Sequence, residues 1–180
     1  MKPTLTSNLR ALSEKPGALV TDEQDLGVWA LLGFVVGSEH YALPLSSVRE
    51  ILRPLPVTEV PRPPKDVVGI VSVRGTVTTL IDLRSRLKVP AGPLRATARI
   101  LLLDQGRELV GLLVDAVLQV YRLRQDEVEL APSLGADAPP YIVGIGRRRP
   151  LQVETEDAAP QPMADGELLV LLDPNALLKG

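Results

Sequence analysis

A chain of 180 residues with 45% hydrophobic residues is long enough for one domain, or for two small subdomains that share a core. A formal net charge of −2 supplies no positive field to gather nucleic acid. The absence of cysteine excludes a disulfide framework and thiolate–metal sites.

Aromatic residues make up only 3%, so the core must be built from Val, Leu, Ile and Ala. With 17 prolines and 14 glycines, this composition favours short strands joined by tight turns over long helices. The first residues, MKPTLTSNLR, contain no apolar signal-peptide core. The longest apolar run, Val28 to Gly37, falls well short of the roughly 20 residues a spanning helix needs. A cytoplasmic protein without membrane insertion is expected.

Residues 1–27 are polar and without sustained period, and read as a flexible tail with at most one helical turn near Leu9 to Leu12. From Val28 the pattern changes: WALLGFVV and YALPL flank the polar Gly37-Ser38-Glu39-His40, the signature of a β-hairpin. Ser47 to Glu50 matches a helix-capping box, but Pro54 leaves too little room, and a short turn entering a strand is expected. Pro54, Pro56, Pro61, Pro63 and Pro64 punctuate an extended connection whose middle, Val57 to Val60, can still pair. Val67 to Val73 and Thr76 to Leu83 are strand candidates joined at Arg74-Gly75.

Pro90, Gly92 and Pro93 mark a linker, and a division into two β units is expected near residues 88–96. Beyond it, Ala98 to Leu103 and Leu109 to Val114 form a second hairpin around Asp104 to Arg107, and Val117 to Arg124 continues as a strand. Pro132 to Pro140 reads as loop and Ile142 to Ile145 as a short strand. Residues 147–167 read as an exposed excursion, basic, then acidic, then rich in proline. Leu168 to Leu172 returns to the core, and Pro174 opens a closing helix. The fold class expected is all-β, as barrels or a sandwich.

Few residues carry catalytic chemistry. His40 is the only histidine, placed in a hairpin turn, and neither a G-x-S-x-G elbow nor a phosphate-binding loop is present. Asp82, Asp115 and Asp173 each end an apolar run; together they would suit an aspartate- or metal-dependent hydrolase. An aspartate at a strand end more often accepts backbone N–H bonds of the next turn, and that structural reading is preferred. Arg147, Arg148 and Arg149 could meet phosphate or an acidic surface, but Glu154, Glu156 and Asp157 follow closely and can neutralise them.

Ser72 to Arg84 remains. Gly75 permits a sharp reversal, so Arg74 stands at the tip of a rigid hairpin with little entropy to lose on pairing. An ordinary solvated arginine is the alternative, and geometry alone leaves both open.

The run VVGIVSVRGTVTTLIDLR closely resembles the signature of the CheW-like chemotaxis coupling proteins, G-x-x-N-x-R-G-x-x-x-P-x-x-D-L-R. YALPLSSVREIL, GLLVDAV and YIVGIG resemble further stretches of that family in the same order, so the similarity spans Trp29 to Gly180. Ser72, Thr79 and Ala116 stand where the family usually has Asn, Pro and Gly.

The resemblance implies two SH3-like five-stranded β-barrels packed side by side with short helices, no enzymatic activity and no cofactor. It implies a cytoplasmic adaptor at receptor arrays, joining a CheA-type histidine kinase, through its regulatory domain, to the tip of a chemoreceptor. Carried over by position, Arg74, Gly75, Val48, Glu50 and Gly69 fall on protein-binding positions, with Asp82 and Arg84 as structural support through a salt bridge or cap. A scaffold of the same fold in a divergent, non-chemotaxis signalling assembly is the alternative.

Overall fold

The computed structural model describes residues 27–106, 108–131, 138–147 and 168–179. The expected tail apart from Gly27, most of the Pro132–Pro140 loop, and the excursion beyond Arg147 lie outside the described residues.

Two sheets carry the molecule. Strands β1 (Val28–Val36), β2 (Glu39–Pro44), β8 (Ala116–Arg124), β9 (Val128–Leu130), β10 (Ile142–Arg147) and β11 (Leu168–Leu172) pair in the order β8-β1-β2-β11-β10-β9. Strands β3 (Val48–Leu52), β4 (Val67–Val73), β5 (Thr76–Asp82), β6 (Arg99–Asp104) and β7 (Leu109–Val114) pair as β3-β6-β7-β5-β4. Helices are short: α1 (Leu83–Arg86) follows β5 and α2 (Pro174–Leu178) follows β11. Among the described residues no helix is long and apolar enough to cross a membrane.

Each sheet curls back on itself. The edge strands β8 and β9 of the first are joined by a single 3₁₀ turn, Gln125–Glu127. In the second, the Arg74 side chain at the β4–β5 tip bonds Glu50 on β3, a side-chain bridge between opposite edges of the sheet. The mainly β, two-unit architecture is thus present, with six strands in the first unit because the short β9 adds to β10.

The boundary between the units lies elsewhere than residues 88–96. Strands β5 and β6 on either side of that segment belong to the same sheet, so residues 48–114 form one contiguous unit inserted into the other. The chain crosses between units at the 3₁₀ turn Leu45–Ser47 and again at Asp115. Local composition marks Pro90 to Pro93 as a linker, but sheet membership is set by the non-local parallel pairs β5–β7 and β2–β11. The segment instead packs on the joint: a Cβ on Gly37, in the β1–β2 turn, would lie 2.6 Å from Val89 Cγ1.

Three apolar clusters follow from this order. Leu31, Ala42, Tyr121, Leu123, Leu169 and Leu171 fill the first unit. Val71, Val73, Leu80, Ile100 and Leu102 fill the second. The third joins them: Leu32, Phe34 and Val36 of β1 meet Ile81, Leu101, Leu103 and Leu112 of the other sheet. Strand β1 is buried on both faces, which is why its sequence is a continuous apolar run rather than an alternation.

Local chemistry sets the turns. Gly37 has φ +66 at the first position of a two-residue turn, with Val36 paired to Glu39. His40 therefore lies inside β2 opposite Val35 rather than in the turn. Gly69 is buried at a bulge of β4, where a Cβ would lie 2.5 Å from the Thr58 carbonyl oxygen. That carbonyl accepts from Ile70 N–H at 2.9 Å, so the proline-rich connection does pair at its middle and shields the β4 edge.

Three polar residues are buried among the described residues: Thr78, and the Arg84 and Asp115 side chains, which bond each other. Thr78 is fully buried on β5, and its hydroxyl has no hydrogen-bond partner among the described residues. Burying an unpaired hydroxyl costs free energy that an isosteric methyl avoids, so Thr78→Val is expected to stabilise the protein by about 1 kcal/mol in urea unfolding.

Candidate functional site

The Arg74-Gly75 corner is a two-residue hairpin between Val73 and Thr76, with φ +50 and +84 at its central residues. Positive φ at both positions defines a type I′ turn, whose twist matches the flanking strands. Gly75 takes this conformation freely, whereas Arg74 is held in it against its side-chain preference. The Arg74 side chain is 78% exposed, and Nη2 donates to Glu50 Oε1 at 2.7 Å.

Three of the candidate binding residues, Arg74, Gly75 and Glu50, therefore meet at the seam of the second unit. Val77 beside the turn is 67% exposed, and Ile51 beside Glu50 is 43% exposed, so apolar surface flanks the charge pair. Val48 and Gly69 do not join this patch. Val48 is half-buried against the core shared by the two units, and Gly69 provides backbone room beneath Thr58.

The end of the signature divides its labour. Asp82 caps α1: Oδ1 accepts from Arg84 N–H at 3.0 Å and Oδ2 from the Ser85 hydroxyl at 3.2 Å. Arg84 turns inward and makes a buried, forked pair with Asp115, Nε to Oδ2 at 3.0 Å and Nη2 to Oδ1 at 2.5 Å. Asp173 caps α2 by accepting from Asn175 N–H at 2.8 Å.

Each of the three aspartates is thus committed to a structural bond. No group of three His, Asp or Glu side chains placed to hold a metal occurs among the described residues. Arg147 pairs with Glu129 at 3.2 Å on the surface; Arg148, Arg149, Glu154, Glu156 and Asp157 lie outside the described residues. His40 is half-buried within its strand. Neighbouring Tyr41 stacks on Phe34 and donates its hydroxyl to Glu39; burial first, then this bond, raises that hydroxyl above the ordinary tyrosine range.

What sequence reasoning missed is Asp115 as the partner of Arg84, with Gly92 making room for the pair. A Cβ on Gly92 would lie 2.5 Å from Arg84 Nη1. The available signal was the GLLVDAV stretch, in which one charge interrupts an apolar run.

Residues 30–180 match the family model described as the CheW-like domain. A chemotaxis protein CheW of Helicobacter pylori is 29% identical over 126 residues, covering 70% of this chain and 76% of the relative. A probable chemotaxis protein CheW of Rhizobium etli is 36% identical over 110 residues, covering 59% of this chain and 69% of the relative. The crystal structure of the scaffolding protein TtCheW of Thermoanaerobacter tengcongensis shares the fold, with a TM-score of 0.68 at 21% identity over 84% of this chain and 93% of that one. The chain belongs to the CheW-like domain family, a family of non-catalytic scaffolds.

Proposed function

We propose that this chain couples a chemoreceptor to a CheA-type histidine kinase, and that the Arg74-Gly75 corner with Glu50 is one of its contact surfaces. The carrying observation is the rigid, exposed Arg74–Glu50 pair at the seam of the second unit, flanked by Val77 and Ile51. An arginine fixed by a type I′ turn has little freedom to lose when a partner engages it, and its fork can take a carboxylate or backbone carbonyls. The exposed apolar side chains beside it supply what surface charge pairs alone do not, since an exposed ion pair contributes little free energy by itself.

On this reading the kinase's regulatory domain and the receptor's cytoplasmic tip engage different faces of the two-unit body, and the protein works in the cytoplasm at receptor arrays. A pull-down with the cognate kinase regulatory domain tests it. Arg74→Asn keeps a residue that tolerates positive φ while removing the guanidinium. It is expected to weaken binding by about 30-fold or more, the range of an interface arginine that matters. Equal binding by wild type and Arg74→Glu would place Arg74 outside the interface.

A further inference from the structure

Asp115 is the single residue between β7 of the second sheet and β8 of the first, and it is 4% exposed. It touches both units. Towards the first, its N–H donates to the Val35 carbonyl at 3.0 Å, and Oδ2 accepts from Gly37 N–H at 2.6 Å. Towards the second, its carboxylate holds Arg84 through two bonds, and its carbonyl accepts from the Thr97 hydroxyl at 2.8 Å. One crossover residue thus ties the end of β1, the β1–β2 turn, α1 and the approach to β6 at one point.

We infer that Asp115, acting through Arg84, is a positioning residue that fixes the angle between the two units, and with it the angle between the surfaces each presents. The apolar cluster between the units supplies adhesion, but adhesion between aliphatic side chains tolerates sliding and rotation. The forked arginine–carboxylate pair is directional, and buried ionic groups are best attested as devices that fix register. Its neighbours are shaped for it: a side chain on Gly92 would strike the guanidinium. The consequence for coupling rests on the function proposed above; the lock itself does not.

The chain has no cysteine, so the variants Lys65→Cys and Gln125→Cys place one spin label on an exposed site of each unit. Double electron–electron resonance then reads the distance between units, expected to be one narrow distribution in the labelled parent. The double variant Arg84→Met with Asp115→Asn removes both charges, fills the arginine's stem, and keeps an amide oxygen for Gly37 N–H. It is expected to fold, by circular dichroism, and to broaden the distribution about twofold or more. A folded double variant with a distribution as narrow as the parent's overturns the inference. So does a double variant that fails to fold, because the pair would then support the units themselves.

The same double variant is expected to bind the isolated kinase regulatory domain within about threefold of the parent, yet to lose most kinase activation in the assembly containing receptor. A parent that binds no kinase removes the coupling role, while the distance measurement still decides the lock.

Discussion

Asp115→Ala is expected to destabilise the protein by about 3–5 kcal/mol, because it leaves the Arg84 guanidinium buried without a counter-charge. Two of the five bonds at Asp115 are made by its backbone and survive; the two to Arg84 and the one to Gly37 N–H are lost. Among the described residues no other carboxylate is bonded to Arg84, so none of them takes up the charge without opening the joint to water. Against a typical total stability of about 5–15 kcal/mol, this is a large fraction.

The control is inside the same family signature. Asp82→Ala removes a helix N-cap and is expected to cost only about 1 kcal/mol, as is Asp173→Ala. Urea unfolding of the three variants separates the roles of three aspartates that look alike in sequence. Equal losses for Asp82→Ala and Asp115→Ala would mean that the joint relaxes around an unpaired arginine.

These differences show where sequence is informative. The β4–β5 hairpin was legible because its cause is local: two strands of apolar alternation joined by Arg-Gly, whose glycine permits the reversal. The strand runs, the turn at Asp104 to Gly106 and the start of α2 at Pro174 were legible for the same reason. The division at residues 88–96 was not. Proline and glycine there do mark a connection, but which sheet receives the next strand depends on the pairing of β7 with β5, some thirty residues apart.

The site follows the same rule. Arg74 and Gly75 could be singled out from their own dipeptide, whereas the Arg74–Glu50 contact depends on the sheet bringing its two edges within reach of a long side chain. The Arg84–Asp115 pair is harder still, since four segments of the chain converge on Asp115 and none carries a motif for it. Asp115 was visible only as an isolated charge ending an apolar run, a pattern shared with the capping aspartates Asp82 and Asp173. Gly69 shows a related limit: the structure gives it a backbone role at a bulge, and a glycine required by a bulge and one required by a partner look identical in sequence.

Phe34→Ala is the second large expected effect, about 3–5 kcal/mol for emptying a fully buried aromatic site. Phe34 is the only phenylalanine and has no exposed surface. It stacks on Tyr41 at 6.2 Å between ring centroids and belongs to the cluster that includes Leu101, Leu103 and Leu112 of the other sheet. Few other large side chains are available to collapse into the gap, because the core is almost wholly aliphatic. The form of the loss matters as much as its size. If each unit were stable alone, Phe34→Ala would split unfolding into two transitions, with that of the second unit unchanged.

The shared cluster predicts otherwise. Cutting out residues 48–114 would expose Ile81, Leu83, Leu101, Leu103, Leu112 and Val114 together, a face that requires the first unit as its cover. The first unit is in turn built from two separate stretches, which pair across the insertion as β1–β8 and β2–β11. Unfolding of Phe34→Ala, followed by tryptophan fluorescence from Trp29 in the first unit and circular dichroism over both, should therefore remain one coincident transition at lower urea concentration. Non-coincident curves would show that the units stand alone, and that their mutual orientation is set by the ionic joint at Asp115 with little help from the apolar one.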